Sequence, residues 1–308
     1  MSHDAELIAK AISALQPKTD YLKDYVFPIS MAFFSALLGG LSALHINRRQ
    51  ELKNVTKENF TAATQLYTLA HECLSNLIAL KSNYQDINSD EPLIRANQFP
   101  TLLSKLDDIS YNTRTLYFIR AIPTANKSLW QQFTWKLKHK ILRIQIKVPS
   151  SAELRNSWRN TVRIHAMFSN YNQVMELMRF RNTLNEQVKH TMAQNCSEPN
   201  VPVEMVQKIL GEKLTGEYVD VTESTIALTD YVIAEMYHFL REFPAIAESN
   251  LELSRIREMG RFLVYENTQE AFLECLKPIM KPDYKTLAKY TGATEEQLRR
   301  KNTYSDLV

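Results

Sequence analysis

Residues 25–46 read YVFPISMAFFSALLGGLSALHI and run directly into Asn47-Arg48-Arg49. These 22 positions carry no formal charge at neutral pH. Wound as a helix they extend about 33 Å, slightly more than the roughly 30 Å hydrocarbon core of a bilayer. A core helix of a water-soluble protein interrupts its apolar run sooner. A cleaved leader opens on a short basic stretch, whereas 24 residues precede this run and include Asp4, Glu6, Asp20 and Asp24. The stretch is therefore expected to be a retained transmembrane helix, with Tyr25, Phe27, Phe33, Phe34, Leu37, Leu38, Leu41 and Leu44 in lipid.

Orientation follows from the flanks. Arg48, Arg49, Lys53 and Lys57 cluster just after the run, which places the C-terminal side in the cytoplasm and residues 1–24 outside as a short extracytoplasmic segment. No second run approaches span length, so the expectation is a single-pass protein of the plasma (inner) membrane, with membrane lipid as a partner. Ser35, Gly39 and Ala43 recur every four residues, and Ala36 and Gly40 repeat the step one position round. Small residues at that spacing let two helix backbones approach closely, so they are expected to mediate self-association into a homo-oligomer. Pro28 falls in the first turn, where its missing N–H costs little.

Outward from this segment, composition narrows the function. Of 308 residues only 6 are glycine. Phosphate-binding loops and tight strand-to-helix turns use several glycines, and here two of them sit together at Gly39-Gly40, so a dinucleotide-binding or P-loop enzyme is excluded. Cys73, Cys196 and Cys275 are odd in number and lie in neither CxxC nor CxxH spacing. That gives no disulfide framework and no zinc site, and suits a reducing compartment. The near-neutral total of 37 basic against 34 acidic side chains hides a segregation, because residues 201–308 hold 13 basic and 18 acidic ones.

Beyond the span, Leu52, Thr56, Asn59, Ala63, Leu66, Ala70, Cys73, Leu77, Leu80, Tyr84 and Ile87 keep a 4,3,4,3 spacing with no proline or glycine between residues 47 and 87. That period specifies one long helix with a coiled-coil-like seam. Further helices are expected over residues 101–121, 150–194, 203–212 and 221–242. The longest shows a stripe of Leu154, Trp158, Val162, His165, Phe168, Tyr171, Met175 and Met178. A Ser249-to-Glu252 capping box is expected to open another helix containing Ile256 and Leu263. The prolines Pro199 and Pro202 mark a boundary. The expected class is all-α: a transmembrane helix at 25–46, a cytoplasmic long-helix bundle at 47–198, and a smaller acidic helical domain at 199–308.

Four features are candidates for chemistry. Residues 109–152 hold eight basic side chains and no acid, with Trp130 and Trp135 among Lys136, Lys138, Lys140, Arg143 and Lys147. As a helix this stretch has two apolar faces, so it suits a lipid interface or an unidentified protein partner, with nucleic acid as the lesser alternative. Residues 286–299 resemble the helix-turn-helix signature, with Ala288 at the helix contact, Gly292 in the turn and Leu298 returning to the core. Glu295 and Glu296 stand where a recognition helix needs bases, so a protein-binding element is expected there.

Arg159-Asn-Thr-Val-Arg-Ile-His165 resembles the Arg-x(4–6)-His motif of HEPN-type ribonucleases, all-α proteins, and the resemblance implies a catalytic pair of Arg159 and His165. The helical stripe instead makes His165 a core histidine beside Trp158 and Val162. Glu235-x-x-His238 has the spacing of di-iron bundles, but no second such pair occurs, and neither metal nor cofactor is expected. These readings favour a non-enzymatic, membrane-anchored scaffold or sensor that self-associates and recruits a cytoplasmic partner, for which bacterial regulation or phage defence is a natural setting. A membrane-tethered HEPN-like ribonuclease is the alternative.

Overall fold

A computed structural model describes residues 3–15, 21–103, 105–120, 154–196 and 201–302. Among these residues every regular element is helical. The helices are α1 (His3–Leu15), α2 (Phe27–Lys81), α3 (Pro92–Gln98), α4 (Thr161–Asn195), α5 (Val203–Ser249), α6 (Glu270–Leu276), α7 (Tyr284–Thr291) and α8 (Glu295–Lys301). A π-helical turn, Leu22–Val26, leads into α2. The chain divides into two compact units, Met1–Val55 and Thr56–Val308.

In the second unit, α5 is buried round most of its circumference and packs against α3, α4, α6 and α7, so it serves as the central helix. Its inward threonines are tolerated because each hydroxyl bonds a carbonyl one turn back. Thr222, Thr225 and Thr229 donate to the oxygens of Tyr218, Val221 and Thr225, all at 2.7 Å. The main apolar cluster joins Ala63, Leu66, Ala70, Cys73, Leu77 and Leu80 of α2 to Phe168, Tyr171 and Met175 of α4 and to Ile233, Phe239 and Phe243 of α5. The seam read from the sequence is therefore buried at Thr56 and from Ala63 onward, while Asn59 is half-buried and Leu52 is exposed. Burial pushes the Cys73 thiol up to about 12.

Several expected elements differ. Residues 101–103 and 105–113 are not helical, and a 3-10 helix occupies Arg114–Arg120. The extended backbone is satisfied by two asparagines of α4. Asn182 accepts from Leu102 N at 3.0 Å and donates to Leu102 O at 2.8 Å. Asn172 does the same with Ile109 at 2.9 and 3.1 Å. A peptide unit served on both sides by an amide side chain has no need of a helical partner. α4 begins at Thr161 rather than near 150, because Asn160 caps it by accepting from Val162 N.

The two helices expected over 203–212 and 221–242 are the two arms of α5, which meet at a kink at Gly211, where φ is 75°, so that the second arm starts earlier than expected. Ser249 closes α5 instead of opening a helix. Residues 251–269 turn through two short 3-10 helices, Leu253–Arg255 and Arg257–Met259, and lie along α2, where Phe262 meets Phe60 at 4.7 Å and Tyr67 donates to Leu263 O at 2.8 Å. α4 and α5, which flank the expected boundary in sequence, pack on each other.

In the stretch that resembles a helix-turn-helix, two short helices, α7 and α8, stand on either side of Gly292. Gly292 ends α7 with φ 69°, Thr294 and Gln297 form a capping box on α8, and Leu298 is buried. Glu295 and Glu296 are exposed and pair with Arg299 and Arg300 one turn on, at 2.6 and 2.9 Å.

Candidate functional site

The most conspicuous surface is apolar. A helix that is hydrophobic on all sides has no polar face to turn to water. Within residues 25–46, Tyr25, Phe27, Phe33, Phe34, Leu37, Leu38, Leu41 and Leu44 are all exposed, between 46% and 68%. Among the described residues one helix is long and apolar enough to cross a membrane, and none of its most apolar 18-residue window is buried. Ser35, Ala36, Gly39, Gly40 and Ala43 are exposed as well, and a methyl group added at either glycine meets nothing within 4 Å. The basic stretch with Trp130, Trp135, Lys136, Lys138, Lys140, Arg143 and Lys147 lies outside the described residues.

The residues of the ribonuclease-like motif have separate partners. Arg159 donates to Ile119 O at 2.8 Å, Asn250 Oδ1 at 2.7 Å and Ser249 Oγ at 3.1 Å, which ties the start of α4 to the end of α5. Burial lowers its guanidinium from the ordinary value. His165 is not the core residue its spacing suggested. It is exposed, with its ring 5.2 Å from that of Tyr111. Trp158 precedes the first turn of α4, so it is out of phase with the helix, and the buried stripe runs through Ile164, Met167, Phe168 and Tyr171. Val162 is 71% exposed for the same reason.

A cleft of about 500 Å³ opens between the start of α4 and the middle of α5, lined by Arg155, Asn156, Trp158, Arg163, Tyr231, Glu235, His238 and Glu242 among others. Glu235 and His238, noted for their spacing, both line it. Glu235 is held by a two-pronged ion pair from Arg163, at 2.6 and 3.2 Å, and the same guanidinium covers the Trp158 ring at 3.9 Å. Engaged in this way, Glu235 serves as the counter-ion of an arginine. No group of three or more His, Cys, Asp or Glu side chains suited to a metal occurs among the described residues. The sequence flagged two cleft residues through their spacing and missed Arg163, because their partnership spans 72 positions.

Two buried ion pairs engage other residues of α5. Arg95 of α3 grips Glu223 through Nε and Nη2 at 2.6 and 3.0 Å, and Lys81 at the end of α2 meets Asp230 at 2.5 Å. Both pairs also hold the segment between α6 and α7: Lys81 donates to Lys277 O, Asp230 accepts from Ile279 N, and Arg95 donates to Met280 O, at 2.6, 2.8 and 2.7 Å. Burial pushes both carboxyls above their ordinary range, opposed by the Arg95 and Lys81 cations.

A third buried cation, Arg181, donates to Ala96 O, Phe99 O and the Tyr218 hydroxyl, at 2.6, 2.9 and 2.8 Å. These groups bind one another, and their arrangement is that of a structural core. The chain matches no protein-family model, no curated protein sequence and no solved structure.

Proposed function

We propose that this chain is a single-pass, membrane-anchored helical protein that self-associates and presents its C-terminal bundle to a partner in the cytoplasm. The observation that carries the reading is the all-round exposure of residues 25–46, a 22-residue uncharged segment. In water that surface would be strongly unfavourable, and in hydrocarbon it is at home. The basic cluster Arg48, Arg49, Lys53 and Lys57 sets the bundle on the cytoplasmic side of the plasma membrane. The ion-paired cleft and the excess of acidic residues after position 200 suit recruitment better than turnover.

Self-association is assigned to the face of Ser35, Gly39 and Ala43. The native mass of the detergent-solubilised full chain tests it. The expected result is a multiple of the 35.7 kDa protomer, reduced to a single protomer by the double substitution Gly39→Leu, Ala43→Leu, because the added side chains hold the backbones apart. A wild-type chain that runs as a clean monomer contradicts this part of the reading. For the ribonuclease-like alternative, the separate engagements of Arg159 and His165 supply no second observation in its favour.

A further inference from the structure

Helix α1 was not singled out by its sequence pattern, yet it is strongly two-sided. At 100° per residue, Leu7, Ala11, Ile8, Ile12, Ala5 and Ala9 lie round a broad arc that is apolar but for Asp4, which falls between Ala11 and Ile8 in the first turn, and Glu6, Lys10 and Ser13 form a narrow polar stripe opposite. Leu7, Ile8 and Ile12 are 56%, 61% and 58% exposed, so no other described residue covers that arc.

We infer that α1 lies in the membrane–water interface, its Leu7, Ile8 and Ile12 side sunk among the acyl chains and its Glu6, Lys10 and Ser13 side towards water. The inference rests on the membrane reading above and names a second lipid contact.

Two facts select lipid as the occupant. The first is the tether. Seven Cα steps separate Leu15 from Leu22, which at about 3.6 Å each limit the distance to about 25 Å. Once residues 25–46 are in a bilayer, α1 cannot leave its surface, and the encounter is intramolecular. The second is the intervening chemistry. Tyr21, Leu22, Tyr25 and Val26 are all more than half exposed, and the Tyr21 and Tyr25 rings stack at 5.7 Å. Tyrosines at the mouth of a span sit at headgroup level, which is the depth an interfacial helix occupies. α1 carries two acids, Asp4 and Glu6, against one base, Lys10, so attraction to anionic lipid contributes nothing and a zwitterionic bilayer suffices.

The test uses the full chain in phosphatidylcholine vesicles, with spin labels at Ile8→Cys, Glu6→Cys and Leu38→Cys in turn, in a Cys196→Ala background whose other two thiols are buried. Collision with oxygen reports lipid, and collision with a nickel chelate reports water. The expected result is Leu38→Cys and Ile8→Cys rich in oxygen and poor in nickel, with Glu6→Cys several-fold richer in nickel. If the labels at positions 6 and 8 are equally open to nickel while position 38 is in lipid, α1 is in water and the inference falls alone. If position 8 is shielded from both probes, protein covers the arc, and the inference falls in favour of a second copy or the bundle. If position 38 is itself in water, the membrane reading falls and takes this one with it.

Discussion

Arg95 and Glu223 are each almost fully buried, and a charge in that position is tolerable only with its partner in place. Arg95→Met leaves Glu223 buried without its counter-ion and releases Met280 O, so the expected loss is about 3–5 kcal/mol at neutral pH, read as a shift in urea midpoint. The loss also depends on pH in a definite sense. A carboxyl whose folded pKa lies above its unfolded value, as burial makes Glu223, contributes most stability below the unfolded value and loses it as pH rises through the folded one. Without Arg95 the folded value of Glu223 rises further, so the gap between variant and wild type should widen as pH rises above the wild-type folded value, where only the variant goes on losing stability, and a gap of constant size would show that Arg95 does not hold down the titration of Glu223 in the fold. None of this is legible in the sequence, where Arg95 and Glu223 are two charges 128 positions apart.

At the scale of the element, the sequence speaks clearly where one apolar period runs unbroken and poorly where side chains replace backbone partners. The α2 seam from Ala63 to Leu80 is buried where the heptad spacing put it, because only helix–helix packing satisfies that period. Residues 101–113 carry enough leucine and isoleucine to suggest a helix, but the deciding groups are Asn172 and Asn182, far away on α4. At the start of α4 the cap at Asn160 outweighed the lack of proline or glycine upstream, and that moved His165 off the core face.

Close approach of elements is equally hidden. A β-carbon added to Gly216 on α5 would stand 2.5 Å from the carbonyl oxygen of Tyr290 on α7. Backbone cannot yield as a side chain can, so Gly216→Ala should push α7 outward and cost about 1–3 kcal/mol. The check is thermal unfolding together with exposure of the α7 amides to hydrogen exchange. An unchanged midpoint and unchanged exchange would show that α7 does not sit on α5 in solution.

For the whole molecule, one apolar segment carries the assignment of place. It was the most legible feature of the chain because it depends only on composition over 22 positions, whereas the cleft at Arg163 and Glu235 depends on how two helices meet. The amphipathic α1 was legible in principle through the spacing of Leu7, Ile8, Ala11 and Ile12, but its interruption by Asp4 and its modest length set it below the neighbouring span.

The most direct measurement is fractionation of cells producing the full chain and a variant lacking residues 25–46, with an alkaline carbonate wash of the membranes. The full chain should stay in the washed membranes and leave them only with detergent, and the shortened chain should be soluble and folded. Recovery of the full chain in the soluble fraction without detergent would contradict the account.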